Sequence, residues 1–197
     1  MKRLCIIITL MLSLFAVSDT AMAYTLVIDA GHGGKDAGAL GFISKEKNIN
    51  LAIALAFGKL VEQNFPDVNV VYTRKTDTFV ELDERANIAN RKKADLFVSI
   101  HTNSTAAGKA GTNARGTETY TLGMHRAADN LAVAKRENSV ITLEANYEEK
   151  YEGFDPRSSE SYIIFELMQD THMTQSVKFA GLVQKQFAQH AGRVNKG

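Results

Sequence analysis

The sequence predicts an α/β layered domain, and two observations point to it. Short β-branched runs alternate with amphipathic helical stripes in the order β-α-β-α-β, the pattern of a sheet flanked by helices. The composition agrees. Of 197 residues, 45% are apolar and 23% charged, which is enough to bury one ordinary core and too apolar for a disordered chain. A formal net charge of +1 argues against a nucleic-acid partner, since that binding needs a basic excess to displace counterions. The single cysteine, Cys5, excludes an internal disulfide and a cysteine-built zinc site. Any metal site must therefore use histidine and carboxylate.

Residues 1–23 read as a secretory signal ahead of the fold. Lys2 and Arg3 lead into the apolar run Leu4–Val17, and Ala21-Met22-Ala23 supplies a small-x-small cleavage pattern. The run is shorter than the roughly 20 residues that span a bilayer, so no stable membrane anchor is expected after cleavage. Cys5 lies too early to be a lipidation site at the cleavage point. Residues 24–197 then form one exported domain.

Within it, Tyr24–Asp29 is a β-branched run ending in a Gly-rich turn, the mark of a buried strand. Ile49, Ile53, Ala56 and Leu60 recur at helical spacing, widened by Ala52 and Leu55, until Pro66 and Asp67 end the helix. Val68–Thr73 is the second strand. Leu82, Ala86 and Ala89 carry a helical stripe through Asn90, with Lys92 and Lys93 suited to its C-terminal dipole. Asp95–Ile100 is a third strand and Gly116–Leu122 a fourth. Residues 125–160 are charged and poor in β-branched runs, a long insertion or lid with a helix at Ala127–Arg136. A last amphipathic helix runs from near Ser161 to about His190, with Ile164, Leu167, Val177, Ala180, Val183 and Phe187 as its apolar positions.

Sheets of this class place ligands at the C-terminal ends of their strands. His32 follows the first strand within Asp29–Gly34, and His101 closes the third within Ser99–Asn103. The glycines around His32 let the backbone turn sharply and leave the imidazole uncovered. Glu46 stands where the first helix begins, facing back toward the strand ends. A His, Glu, His set with one open position is the donor set of a catalytic zinc site. Such an ion lowers the pKa of bound water from about 15.7 to about 7 and polarises a carbonyl, which suits amide hydrolysis. Either histidine alone reads as a strand-end hydrogen bond to backbone; the pair with a helix-start Glu favours the metal. His125, His172 and His190 lie in the insertion or the last helix and take no role. Rival chemistries fail on pattern. Ala30–Gly38 lacks both the Gly-Lys-Ser/Thr ending and the G-x-G-x-x-G spacing, no G-x-S-x-G elbow exists, and the exported chain has no cysteine nucleophile.

Three ordered segments, Val27–Ala39, Glu46–Asn48 and Ser99–Asn103, resemble the zinc-dependent N-acetylmuramoyl-L-alanine amidases of the type 3 family. Tyr72–Arg74, Leu82–Arg85 and Ala89-Asn90 match in order as well, so the resemblance covers residues 24–122 and less closely the rest. It implies a three-layer α/β/α sandwich around a mixed, mostly parallel sheet, with a helical insertion after the fourth strand. It also implies a periplasmic or secreted enzyme that cuts the amide between N-acetylmuramic acid and L-alanine in peptidoglycan, as in wall remodelling and daughter-cell separation. By motif match the Zn2+ ligands are His32, Glu46 and His101, with Asp29 and Asn103 as substrate or supporting residues. Family members with such an insertion commonly hold an inhibitory helix over the zinc until an activator protein displaces it. Glu137 and Glu144 are the candidate inhibitory ligands, and deleting 125–155 is expected to raise activity.

One departure stands out. The family continues into further strands, where an apolar run followed by Glu supplies the general acid/base. This sequence ends at Gly197, so it reads as lacking that segment. Tyr162–Leu167 copies the pattern and makes Glu166 the candidate catalytic residue, although its apolar positions continue a helical stripe. Two other readings stay open: a metal-binding but inactive peptidoglycan-binding fragment, and a zinc peptidase acting on the stem peptide.

Overall fold

Six consecutive residues, Thr25–Ala30, form β1, and every one of them is buried. The reason is position. In this computed structural model, β1 lies at the centre of a parallel sheet of order β2-β1-β3, with β2 at Asn69–Tyr72 and β3 at Leu96–Ile100. Val27 faces Val71 on one side and Phe97 on the other, and Ile28 faces Tyr72 and Val98. A parallel strand covered on both faces reads as a near-continuous apolar run, here Leu26, Val27, Ile28 and Ala30 interrupted by the buried Asp29. The structure describes residues 24–104, 115–121, 128–151, 154–156 and 172–197. The signal segment, His125, Glu166 and the start of the last helix lie outside them.

Helix α1, Glu46–Asn64, covers the core. Leu51, Phe57 and Val61 pack with the fully buried Ala54 on Leu26, Ile28 and Ala30. This corrects the expected face: Ile53 is 46% and Leu60 58% exposed, and Ala52 and Ala56 point to solvent. The helix is apolar around much of its circumference, so two stripes satisfy the 3.6-residue period and only the sheet selects between them. Helix α2, Leu82–Arg91, buries only Arg85, so its link to the sheet is an ion rather than an apolar stripe.

The chain leaves β1 for β2 on one side and then crosses to β3 on the other. That reversal opens a crevice between the C-terminal ends of β1 and β3, the place where open α/β sheets bind ligands.

The expected α/β architecture is present, with two differences. Among the described residues the sheet is parallel throughout, and the fourth strand does not join it. Thr117 instead forms a lone parallel bridge with Asn195, and its amide donates to Val194 O at 2.9 Å. The insertion holds α3, Ala128–Asn138, then a 3-10 turn Ser139–Leu143 and the single turn α4, Tyr147–Lys150. Helix α5, Met173–His190, buries Ala180 and Gln184, while Val177 and Phe187 of the expected stripe stay exposed. No helix among the described residues is long and apolar enough to cross a membrane.

Candidate metal centre

The loop after β1 is shaped by what it must approach. A Cβ on Gly31 would sit 2.4 Å from the His101 ring, so only glycine lets the two strand ends come this close. His32 adopts φ 63°, a left-handed conformation that costs a non-glycine residue roughly 1–3 kcal/mol. Several bonds impose it. His32 Nδ1 pairs with Asp36 Oδ2 at 2.7 Å, and Arg85 Nη2 donates to His32 O at 3.1 Å. Arg74 Nε donates to Ala30 O at 2.8 Å and its Nη2 to Gly31 O at 2.9 Å. These buried arginines satisfy the carbonyls that the sharp turn removes from the ladder.

Asp29 is the buried knot beneath the site. It accepts hydrogen bonds from Thr73 Oγ1, Ser99 Oγ and Arg85 Nη1, each at 2.6 Å. Burial opposes its charge, but Arg85 and the two hydroxyls prevail and hold its pKa below the usual value. It thus ties all three strand ends to α2 and does not reach the cavity as a substrate contact.

Glu46 opens α1, where the helix dipole favours its charge. Its Oε2 accepts from Ala39 N and its Oε1 from Thr102 N, both at 2.9 Å. Oε1 also lies 3.3 Å from His32 Nε2 and 3.3 Å from His101 Nδ1. Glu137, from α3, completes the group: its Oε2 is 3.1 Å from His32 Nε2 and 2.9 Å from His101 Nδ1. Four donor atoms, one each from His32, Glu46, His101 and Glu137, lie within 4.8 Å of one another.

The donors fit a zinc ion. Bonds of about 2.0–2.1 Å in tetrahedral geometry put neighbouring ligand atoms about 3.3 Å apart, close to the four separations above. A second observation agrees. His32 Nε2 is buried and makes no hydrogen bond, although two carboxylate oxygens lie within reach. Without an ion, the same contacts favour imidazolium. Burial opposes the charge, yet Asp36, Glu137 and Glu46 raise the His32 pKa to about 11, and Glu137 with Glu46 raises His101 to about 9. Glu46 and Glu137, though partly desolvated, are held well below the usual carboxylate range by the two histidines.

A cavity of about 360 Å³ adjoins His32, Glu46 and Glu137, walled by Gly38 and Ala39 on one side and the Ser139–Leu143 turn on the other. Of the two carboxylates proposed from sequence to face the metal, the structure brings in Glu137 and corrects Glu144. Glu144 lies beyond the 3-10 turn, where its Oε1 accepts from Leu82 N at 2.7 Å, and Lys150 fills the acidic group it forms with Glu81 and Asp83. Asn103 is exposed and bonds Arg136 and Glu118 rather than a donor of the cluster. His172 and His190 are exposed at the ends of α5. Sequence reasoning missed Asp36, Arg74 and the role of Arg85; Asp36, four residues past His32, was the one signal available for the first of these.

Fold and site together define a parallel α/β domain with a His/Glu donor cluster at its strand-order reversal. A family profile for N-acetylmuramoyl-L-alanine amidase matches residues 26–197, and the chain belongs to that family. It is 28% identical over 177 residues to the N-acetylmuramoyl-L-alanine amidase AmiC of Escherichia coli O6:H1, covering 87% of this chain and 38% of AmiC. It is 37% identical over 130 residues to the probable amidase AmiB of Haemophilus influenzae, covering 64% of this chain and 28% of that one. It is 46% identical over 99 residues to the endolysin of Bacillus phage SPP1, covering 50% of this chain and 34% of the endolysin. The chain therefore matches well under half the length of each. A solved N-acetylmuramoyl-L-alanine amidase from Clostridium difficile 630 aligns with TM-score 0.46 at 30% identity, over 85% of this chain and 98% of that one.

Proposed function

We propose that this chain is a zinc amidase of peptidoglycan, exported by residues 1–23 and acting in the periplasm or outside the cell. It cuts the bond between N-acetylmuramic acid and L-alanine, a reaction suited to wall remodelling and daughter-cell separation. The domain is 24–197, with 125–160 a regulatory insertion. The observation behind this reading is the convergence of His32, Glu46, His101 and Glu137 at the strand-order reversal, with four His–carboxylate separations of 2.9, 3.1, 3.3 and 3.3 Å.

When bound, zinc supplies an activated water and polarises the scissile carbonyl. The chain's own residues prepare for it. Asp36 accepts a hydrogen bond from Nδ1–H of His32, fixing the tautomer that leaves the Nε2 lone pair free for a metal. Thr102 N and Ala39 N hold the Glu46 carboxylate ionised and oriented. Glu137 fills the fourth donor position, so this arrangement is the resting form, and substrate enters when α3 lifts. An activator protein that binds the insertion is the matching partner. Glu166 remains the proposed acid/base residue.

The test is zinc-loaded chain incubated with isolated peptidoglycan. Release of intact stem peptides with free L-alanine amino termini should rise in Glu137→Ala and vanish in His101→Ala. Shortened peptides would instead mean a peptidase. Bound zinc with no release from either the wild type or Glu137→Ala would mean a wall-binding fragment.

A further inference from the structure

Glu137 has two oxygens with different surroundings, and the second one points to a control element. Oε2 faces the histidines, whereas Oε1 is taken by Arg136, with Nη2 at 2.7 Å and Nε at 3.1 Å. Arg136 and Glu137 are consecutive residues at the end of α3, and consecutive helical side chains do not face each other. The helix alone does not supply this pairing, so something outside it must hold the guanidinium in place.

That partner is Asn103, two residues beyond His101. Its Oδ1 accepts from Arg136 Nη2 at 2.8 Å. The Asn103 amide is itself oriented, because its Nδ2 donates to Glu118 Oε2 at 2.8 Å, and Tyr120 OH donates to the same oxygen at 2.5 Å. A polar chain therefore runs from the 115–121 segment through the loop after β3 to the carboxylate at the metal centre. Its members differ from the donors in one useful respect. The Arg136 side chain is 41% exposed, while those of His32 and Glu46 are 8% and 3% exposed. The chain can open without disturbing the core.

We propose that Arg136, held by Asn103, is a positioning residue: a latch that keeps Glu137 in the fourth donor position. The proposal rests on reading Glu137 as that donor. Loss of either latch residue leaves the carboxylate attached to α3 but no longer aimed, so the fourth position is vacated more often.

The test replaces zinc by Co2+ in the full chain and follows the visible band while acetohydroxamate is titrated in. This small chelator needs the position that Glu137 fills, so its apparent affinity is reduced by the fraction of closed molecules. Glu137→Ala should bind it most tightly. Asn103→Ala and Arg136→Ala should each bind it roughly three- to tenfold more tightly than the wild type, the scale of one charge-assisted bond with partial exposure. Arg136→Lys, which keeps the charge but not the planar fork, should fall between. Equal Co2+ content in every variant confirms that the His32, Glu46, His101 base is intact. If Glu137→Ala tightens binding while Asn103→Ala and Arg136→Ala behave as wild type, the latch is wrong and the Glu137 reading stands. If Glu137→Ala itself changes nothing, both fail.

Discussion

The two ends of the cavity are built by different forces. On one side, β1 is wholly buried between two parallel strands, and Glu46 and the loop bearing His32 are fixed to that core by buried hydrogen bonds. On the other side, the insertion buries the apolar Val140 and Ile141 and is otherwise attached largely by polar contacts, several near the surface: Lys35 to Leu143 O, Lys150 to Glu81 and Asp83, and Arg136 to Asn103. Apolar burial of a single large side chain stabilises by about 1.5–3 kcal/mol, whereas an exposed ion pair contributes roughly 0–1 kcal/mol. Three of the four donors thus stand on a stiff base, and the fourth hangs on a loosely held cover. That asymmetry suits the proposed reading, in which a metal is kept while the insertion moves.

The largest expected effect lies in the base. Arg85→Ala leaves Asp29 charged and buried without its ion partner, a loss of about 3–5 kcal/mol. A urea midpoint well below the wild type at neutral pH is the expected result. The pH dependence follows from the lowered Asp29 pKa. Its contribution is present above the unfolded value near 3.8 and fades as pH falls through the still lower folded value. Wild type should therefore lose stability on acidification in that window, and Arg85→Ala should lose less. A midpoint unchanged by the substitution would mean that the knot at Asp29 does not hold the strand ends.

Next comes the support of a donor. Asp36→Ala removes the carboxylate that fixes the His32 tautomer, and such partners are typically worth about 10–100-fold in metal affinity. Competition with a coloured chelator would measure this for Zn2+. An affinity within twofold of wild type would show that the left-handed backbone at His32, rather than Asp36, orients the ring.

Much of the base was legible in the sequence because its signals are local. A β-branched run before a glycine turn fixes β1, and a His after each of two strands with a Glu at a helix start marks the donors. The rest depended on tertiary choices. The stripe on α1 was read one face away, because Leu51, Ala54, Phe57 and Val61 fit the same period as Ile53, Ala56 and Leu60. The choice between Glu137 and Glu144 turned on where α3 ends, at Asn138, and helix ends are the least determined part of a pattern. Arg74 and Arg85 lie 43 and 53 residues beyond the carbonyls of Gly31 and His32 that they hold, through bonds that no periodicity encodes.

The smallest effect bears most directly on the comparison. The N-cap of α2, Glu81, makes no side-chain cap bond. Glu144 supplies one from the insertion, accepting Leu82 N at 2.7 Å, while its other oxygen accepts Tyr151 OH at 2.9 Å. Tyr151 OH in turn accepts Asp83 N at 3.0 Å, so two otherwise unpaired amides of α2 are satisfied by the cover. Removing a cap typically costs about 1 kcal/mol. Glu144→Ala should therefore speed hydrogen exchange of the Leu82 and Asp83 amides and of 139–151 by roughly fivefold, leaving β1 amides unchanged. Equal acceleration in β1 would mean that core and cover open as one cooperative unit, and a separately moving lid could not then be maintained.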